Sequence, residues 1–334
     1  MRAAIYGAGA MGTILGAYIT KNGGKIDLIT RNIEHVRGLR TEGAHVMGQA
    51  DFTVPVTAYT PEEMSGMYDV IFLMTKQREN TAICEFLTHY LAEDGVICTT
   101  QNGLPEPSVA AVVGEERTLG CAVSWGATNL GGGIAELTSK PDKMTFSLGT
   151  LYGDNPRMRA VANILSRAGK VKIEENFIGA RWAKLSVNCA FSSLSAMTGL
   201  TFGQVARDPK GRQIALNILN ECFAVAKAAD IKIARLQGHN IERIYSCGDH
   251  GFKRRIALWL LPFAMSSHRD IKSGMYFDVI KGRKSDIDFV NGVVAEFGRS
   301  LEMDTPLNSL CVQFVDEISE GRRAAGVENF DGFL

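Results

Sequence analysis

The stretch RWAKLSVNCAFSSLSA, residues 181–196, sets Lys184, Asn188 and Ser192 four residues apart among helix-forming, mostly apolar residues. Positions i, i+4 and i+8 share one helical face. An ammonium, an amide and a hydroxyl would therefore stand in a row beside a core made by Trp182, Leu185, Val187 and Phe191. Taken alone, a solvated polar stripe is the simpler reading. The sharper one is a wall that presents an acid and a hydrogen-bond donor to a ligand. A lysine in such a wall stabilises an oxygen that gains negative charge and delivers a proton to it, the more so where desolvation lowers its pKa. A second polar group lies in KGRKSDIDFVNG, residues 281–292, with Asp286, Asp288 and Asn291. The two aspartates face different ways on a helix, so at most one enters a cleft with Lys184. Capping and surface pairing with Lys281, Arg283 or Lys284 are the structural alternative.

Near the N-terminus, Gly7, Gly9 and Gly12 form G-x-G-x-x-G directly after a short apolar run and at the start of a helical pattern. In that context the first glycine permits the turn, the second lets a pyrophosphate approach the backbone, and the third lets helix and strand pack closely. The turn residues Gly7, Ala8, Gly9, Ala10, Met11 and Gly12 are thus expected to line a dinucleotide. An NAD site places an acidic residue about 20 residues further on; this chain has Thr30 and Arg31 there, with Asp27 earlier in the strand. A guanidinium favours a 2′-phosphate, so NADPH is the expected cofactor. Lys76 and Gln101-Asn102-Gly103 follow two further apolar runs, where ligands collect at the carboxyl ends of parallel strands. Lys76 is expected near the cofactor's phosphate or adenosine end, and Asn102 near the nicotinamide ribose or substrate. Each is also ordinary loop chemistry when taken singly, since Asn-Gly is a common turn.

These residues need elements to hold them. Residues 3–6, 25–32, 69–76 and 95–103 read as strands buried on both faces, with helices after the glycine turn and over 79–95. The alternation predicts an α/β fold with a doubly wound sheet. GIAELTS and MTFSLGTLYG read as a later antiparallel pair. From about residue 177 the periods become helical, over 177–199, 204–230 and on to about 320, with breaks at 207–212 and 246–251. Two domains are expected, 1–176 for the cofactor and 177–334 for substrate and dimerisation, with the substrate in the crevice between them. The apolar helices at 213–229 and 256–265 suit either a homodimer face or domain core.

The totals narrow the functional classes. Among 334 residues, 36 basic groups balance 36 acidic ones, 46% are hydrophobic, and no basic run suggests nucleic-acid or membrane binding. The apolar stretch at 256–265 is too short to span a bilayer, and glycines interrupt the apolar N-terminal run in the manner of a strand and turn rather than a signal peptide. Seven dispersed cysteines form no C-x-x-C pair and no metal spacing, which suits buried thiols in a reducing cytoplasm. Neither His250 nor His268 has a carboxylate at a telling spacing, and no metal is expected.

Together, GAGAMG, Arg31, Lys76, QNG at 101–103, RWAKLSVN at 181–188, and SGMYFD at 273–278 followed by SDIDFVNG at 285–292 resemble the ketopantoate reductase family over nearly the whole chain. The resemblance implies an N-terminal Rossmann-type domain, an all-helical C-terminal domain, and reduction of 2-dehydropantoate to D-pantoate with NADPH in pantothenate biosynthesis. It implies Lys184 as general acid, with Asn188 and Asp286 beside it. Asn102, Lys184, Asn188, Ser192, Ser273 and Gly274 would form the substrate wall, and Asp286 would anchor substrate or cofactor ribose. The family pattern has Glu at 286, Asn at 192 and Ser at 274, and the segment 235–272 is longer here. Relatives of this fold reduce other branched or aromatic 2-oxo acids to D-2-hydroxy acids, and that remains an alternative. Two others stay open: a β-hydroxy acid dehydrogenase, whose glycine-rich substrate loop WGATNLGGG (125–133) faintly echoes, and a redox-silent NADP-binding protein.

Overall fold

The computed structural model describes residues 1–333. The first 173 residues form β1 (Ala3–Tyr6), α1 (Ala10–Lys21), β2 (Asp27–Ile29), α2 (Ile33–Thr41), β3 (Ala44–Gly48), β4 (Phe52–Val54), β5 (Thr57–Tyr59) and β6 (Tyr68–Leu73). They continue with α3 (Asn80–Thr88), β7 (Leu91–Thr99), α4 (Glu106–Val113), β8 (Thr118–Val123), β9 (Ala127–Gly131), β10 (Ile134–Leu137), β11 (Thr145–Gly149), α5 (Met158–Leu165) and β12 (Lys170–Ile173). By internal contacts the chain divides into two compact units, residues 1–101 with 105–177, and 102–104 with 178 onward.

In the first unit an eight-stranded sheet runs β12-β11-β8-β7-β6-β1-β2-β5. All its neighbours are parallel except β8 and β11. The central strands β1 and β6 are buried almost throughout, as expected of parallel strands covered on both faces. A second sheet, β4-β3-β10-β9, was not legible in the sequence. Helix α1 packs against strands of both sheets, which explains why seven of its twelve residues are buried and why glycine and alanine recur along it. The two segments read as an antiparallel pair lie apart: Ile134–Leu137 joins β3 and β9 in the small sheet, whereas Thr145–Gly149 joins β8 and β12 in the large one. Pairing was misassigned because both runs have strand composition, and composition does not name a partner. Helix α3 also ends earlier than expected, and β7 starts at Leu91 with a register irregularity opposite Tyr68.

Two buried polar clusters set the positions of the loops in this unit. His35, on α2, is 1% exposed. Its Nδ1 accepts the Gly133 amide at 3.2 Å, so Nε2 carries the proton and donates to Thr13 Oγ1 at 2.8 Å. One imidazole thus ties α1, α2 and the β9–β10 turn together. At that turn the backbone comes so close that a Cβ on Gly38 would lie 2.0 Å from the Gly132 carbonyl oxygen. The second cluster surrounds Gln101. Its amide nitrogen donates to Thr75 O at 2.8 Å and Asn80 Oδ1 at 2.7 Å, while its oxygen accepts Thr99 Oγ1 at 2.8 Å and Asn80 Nδ2 at 3.1 Å. Asn80 Nδ2 reaches Ser108 Oγ at 2.8 Å as well. The ends of β6 and β7 and the starts of α3 and α4 are pinned by these two amides.

The second unit is helical, with α6 (Phe177–Thr198, its first residue counted with the first unit), α7 (Phe202–Arg207), α8 (Pro209–Ala228), α9 (Ile241–Tyr245), α10 (Phe252–Ala264), α11 (Gly274–Val279), α12 (Asn291–Ser300) and α13 (Pro306–Ser319). Asp208 and Pro209 make the expected break: the Asp208 carboxylate caps the amides of Lys210 and Gly211, and proline stands at the first position of α8. Helix α8 is core, with Ile214, Leu216, Ile218, Leu219, Cys222 and Phe223 buried, so 213–229 supplies no dimer face. Trp182 Nε1 donates to Cys222 O at 2.9 Å inside this core. Six cysteines are buried and none forms a disulfide among the described residues; burial pushes the thiols of Cys84 and Cys311 up to about 12. No helix among the described residues is long and apolar enough to cross a membrane.

Two stability predictions follow from the polar clusters. Burial lowers the pKa of His35, so the folded state holds it neutral while the unfolded chain titrates near the usual value of about 6.5. Its contribution is therefore present above that pH and lost as pH falls below it. Melting temperature should drop between pH 7.5 and 5.5 by less in His35→Gln than in the parent, and equal slopes would refute the assignment. Gln101→Leu leaves Asn80, Thr99 and Thr75 with broken bonds, at a cost of about 2–4 kcal/mol. Differential scanning calorimetry should show a melting temperature lowered by about 5–10 °C.

Candidate functional site

The glycine turn follows β1 and opens α1, and each glycine has a separate steric reason. Gly7 has φ +105°, and a Cβ there would lie 2.7 Å from the Met74 carbonyl carbon. A Cβ on Gly12 would meet Gly7 O at 2.7 Å and Ile5 Cγ2 at 2.9 Å, so helix and strand could not approach. At Gly9 a Cβ would meet nothing within 4 Å: this side of the turn is open. Gly9 is also the N-cap of α1 and offers no side chain to its amides. Ala8 is buried beneath the turn, and Ala10 and Met11 form the first turn of the helix, half-buried. An open backbone cradle at an uncapped helix N-terminus fits a pyrophosphate.

Arg31 stands just past β2 and is exposed, with Nη2 2.6 Å from Glu79 Oε2. Asp27, at the opposite end of that strand, accepts from Arg2 Nη2 at 2.9 Å and from the Tyr68 hydroxyl at 2.9 Å, which occupies it structurally. Lys76 is exposed and leads into a single 3-10 turn, Gln77–Glu79, after β6.

In the second unit the row at 184, 188 and 192 is where α6 surfaces. Trp182, Ala183, Leu185, Ser186, Cys189, Ala190, Phe191 and Ser193 are buried, while Lys184, Asn188 and Ser192 are half-buried, with Val187 beside them. Lys184 Nζ donates to Asn102 Oδ1 at 2.8 Å. Of the other hydroxyls of the helix, three are satisfied internally, Ser186 donating to Trp182 O at 2.8 Å, Thr198 to Leu194 O at 2.7 Å, and Ser193 to Cys189 O, while Ser195 donates to Leu200 O at 2.7 Å just beyond it. Asn188 and Ser192 make no side-chain hydrogen bond among the described residues.

The remaining candidates separate. Ser273 is buried and caps α11, its Oγ accepting the Met275 amide at 3.2 Å while its own amide donates to Ser195 Oγ at 3.0 Å. Gly274 is exposed, with room for a Cβ. Asp286 is half-buried at the head of the 3-10 turn Ile287–Phe289, and Asp288 is exposed. Asn291 is a core strut: its Nδ2 donates to Cys189 O at 3.1 Å and to Asn308 Oδ1 at 2.9 Å. In the WGATNLGGG segment, Ala127–Gly131 form β9 and Gly132 and Gly133 its turn, packed on α2. Sequence reading missed His35 and Asn80. The spacing of His35, Val36 and Leu39 places the histidine on the buried face of α2, a usable signal; nothing in the sequence marks Asn80.

Comparison with known proteins gives a consistent result. Residues 3–150 match the family model described as Ketopantoate reductase PanE/ApbA, and residues 176–319 match Ketopantoate reductase PanE/ApbA C terminal. A 2-dehydropantoate 2-reductase of Pyrococcus horikoshii is 24% identical over 314 residues, covering 93% of this chain and 95% of the relative. The solved structure of D-mandelate dehydrogenase with NADH and anilino(oxo)acetate superposes with a TM-score of 0.82 at 20% identity, over 96% of this chain and 99% of that one. A PanE/ApbA family ketopantoate reductase from Ralstonia eutropha JMP134 gives 0.80 at 23% identity, over 97% and 100%. A glycine cradle for a dinucleotide, a lysine row on a helix of the second unit, and both halves of the family model thus agree: the chain belongs to the ketopantoate reductase family of oxidoreductases.

Proposed function

We propose that this protein is an NADPH-dependent reductase of a small 2-oxo acid, with 2-dehydropantoate, converted to D-pantoate, as the first candidate. The observation that carries the reading is the 2.8 Å bond from Lys184 Nζ to Asn102 Oδ1. It fixes the amine at the head of a row whose amide and hydroxyl remain available to a ligand. The backbone amides after Gly9 bind the pyrophosphate, Arg31 takes the 2′-phosphate, and Lys76 adds positive charge nearby. The Arg31–Glu79 pair is no obstacle, because an exposed ion pair contributes only about 0–1 kcal/mol and exchanges readily for a phosphate.

A reduced nicotinamide, when bound, supplies the hydride that adds to the 2-oxo carbon. The oxygen of that carbonyl takes up the electron pair of the broken π bond and is protonated by Lys184 Nζ, giving the 2-hydroxy acid. Asn102 aims the ammonium and lowers its freedom before the substrate arrives. Asn188, one turn along, donates to the substrate's carboxylate or hydroxyl, Asp286 anchors substrate or ribose, and Ser192 and Gly274 border the variable end of the substrate. Ser273 acts by holding the start of α11.

A second substrate reading has its own support. The likeness to D-mandelate dehydrogenase, together with the open position at Gly274 and the short side chain at Ser192, suits a bulkier or aromatic 2-oxo acid. NADPH consumption against a panel containing 2-dehydropantoate, branched 2-oxo acids and phenylglyoxylate decides between them, and tight NADPH binding with no turnover on any of them would favour a redox-silent role. With the best substrate, Lys184→Ala should lower kcat by about 10²–10⁴-fold, the range of a lost general acid, while NADPH affinity by fluorescence titration stays within twofold. Near-normal turnover would refute the assignment. Arg31→Ala should weaken NADPH binding by about 10–100-fold, equivalent to one charge-assisted hydrogen bond, and leave NADH binding unchanged.

A further inference from the structure

Asp286 and the 184–188–192 row come from distant parts of the chain, and a buried amide joins the segments that carry them. Asn291 opens α12 directly after the 3-10 turn Ile287–Phe289, which Asp286 heads. Its side chain is fully buried, and Nδ2 donates to Cys189 O on α6, 102 residues away, at 3.1 Å and to Asn308 Oδ1 on α13 at 2.9 Å. Cys189 follows Asn188, so the bond lands on the turn of α6 that carries the middle of the row. The direction of this amide is dictated from further away. The Glu221 carboxylate, on α8, accepts from Asn308 Nδ2 at 2.7 Å and from the amides of Leu307 and Asn308 at 3.0 and 2.8 Å. Asn308 must therefore turn its nitrogen toward Glu221 and its oxygen toward Asn291, and Asn291, facing two acceptors, must present its nitrogen. Glu221, Asn308 and Asn291 thus form a relay of fixed sense that runs from α8 through α13 and α12 to α6.

We infer that Asn291 is a positioning residue for the substrate end of the site: it fixes the turn headed by Asp286 against the Asn188 turn of α6. The inference rests on the reading of Asp286 and Asn188 as substrate contacts. Stability alone is a poor reason for an amide at this position. Asn291 Oδ1 is buried and meets no donor among the described residues, and Cys189 O already accepts the Ser193 hydroxyl. A buried polar atom left unsatisfied is unfavourable, and an apolar side chain of the same shape is often as good or better there. What leucine cannot supply is direction, a donor held at a set distance from one carbonyl of α6. Lys184, one turn before Asn188, has its own bond to Asn102 Oδ1 and takes no part in the relay. Losing Asn291 therefore loosens the grip on the 2-oxo acid and leaves proton transfer alone, which is a change in KM rather than in kcat.

The test is Asn291→Leu in the full chain, close in shape and without donors, assayed with NADPH and the best 2-oxo acid. KM for the 2-oxo acid should rise about tenfold, with kcat within about threefold of the parent and NADPH affinity by fluorescence titration within about twofold. Melting temperature should stay within about 5 °C, since the orphaned acceptor on Asn308 replaces the one on Asn291. Asn291→Ser, too short to reach Cys189 O, should give the same KM shift and serves if the leucine variant does not fold. In an Asp286→Ala background, Asn291→Leu should raise KM by less than about twofold, because a residue that acts through Asp286 then has nothing left to position. An unshifted KM in the variants, multiplicative effects in the double variant, or a joint fall of kcat, NADPH affinity and melting temperature would each overturn the inference alone. A parent that turns over no 2-oxo acid would overturn it together with the reading on which it rests.

Discussion

The Lys184 ammonium stands on the row where α6 surfaces, the rest of the helix being sealed in apolar packing, and Asn102 Oδ1 accepts its proton at 2.8 Å. Asn102, with residues 103 and 104, belongs to the same unit as that helix. Asn102 follows Gln101 directly in the chain, and Gln101 is fixed by four hydrogen bonds to groups at the ends of β6 and β7 and the start of α3. Gly103, with φ +80°, then turns the chain away. The two consecutive residues differ in use: the buried Gln101 amide is bonded within the first unit, and the Asn102 oxygen accepts from Lys184 in the second. A buried amide pair satisfied at both ends is rigid, because any displacement would strand donors and acceptors in a low-dielectric interior.

The glycine cradle depends on a comparable constraint. Its open side at Gly9 exists because α1 sits low on the sheet, and that closeness is permitted by the absence of a side chain at Gly12 and Gly7. The helix is held from the other side by the small sheet and by Thr13, whose hydroxyl receives the His35 proton. The carboxylate of Asp27 is spent at the opposite end of the strands on Arg2 and Tyr68, leaving Arg31 as the charged group at the carboxyl end of β2.

Much of this was legible in the sequence where a single period or a single steric rule governs. The strand–glycine–helix order, the buried parallel strands and the 184–188–192 row each follow from a repeat of two or 3.6 residues or from the need for a missing Cβ. What escaped depends on contacts between segments distant in the chain. The small sheet joins residues 44–54 to 127–137, and nothing local says that β10 pairs with β3 rather than with the strand that follows it. The Asn80–Gln101 pair and the placement of Asn291 in the core are of the same kind: an amide's partner cannot be deduced from its neighbours. Ser273 is of the same kind: its hydroxyl accepts the Met275 amide at the start of a helix, and its amide donates to Ser195, a partner far away in the chain.

The burial pattern of α6 also constrains how this chain can differ from its relatives. Of the eight residues from Trp182 to Cys189, five (Trp182, Ala183, Leu185, Ser186 and Cys189) are buried in the core and cannot change freely; Ser186 is even turned back onto its own helix. The row is different. Ser192 makes no side-chain hydrogen bond among the described residues, and at Gly274 a Cβ would meet nothing within 4 Å. Substitutions at these positions come at little cost to the fold, since surface positions away from buried contacts usually shift stability by less than about 0.5 kcal/mol. Lys184 sits on the same row but differs in kind: its Nζ donates to Asn102 Oδ1, whereas Asn188 and Ser192 make no side-chain hydrogen bond among the described residues.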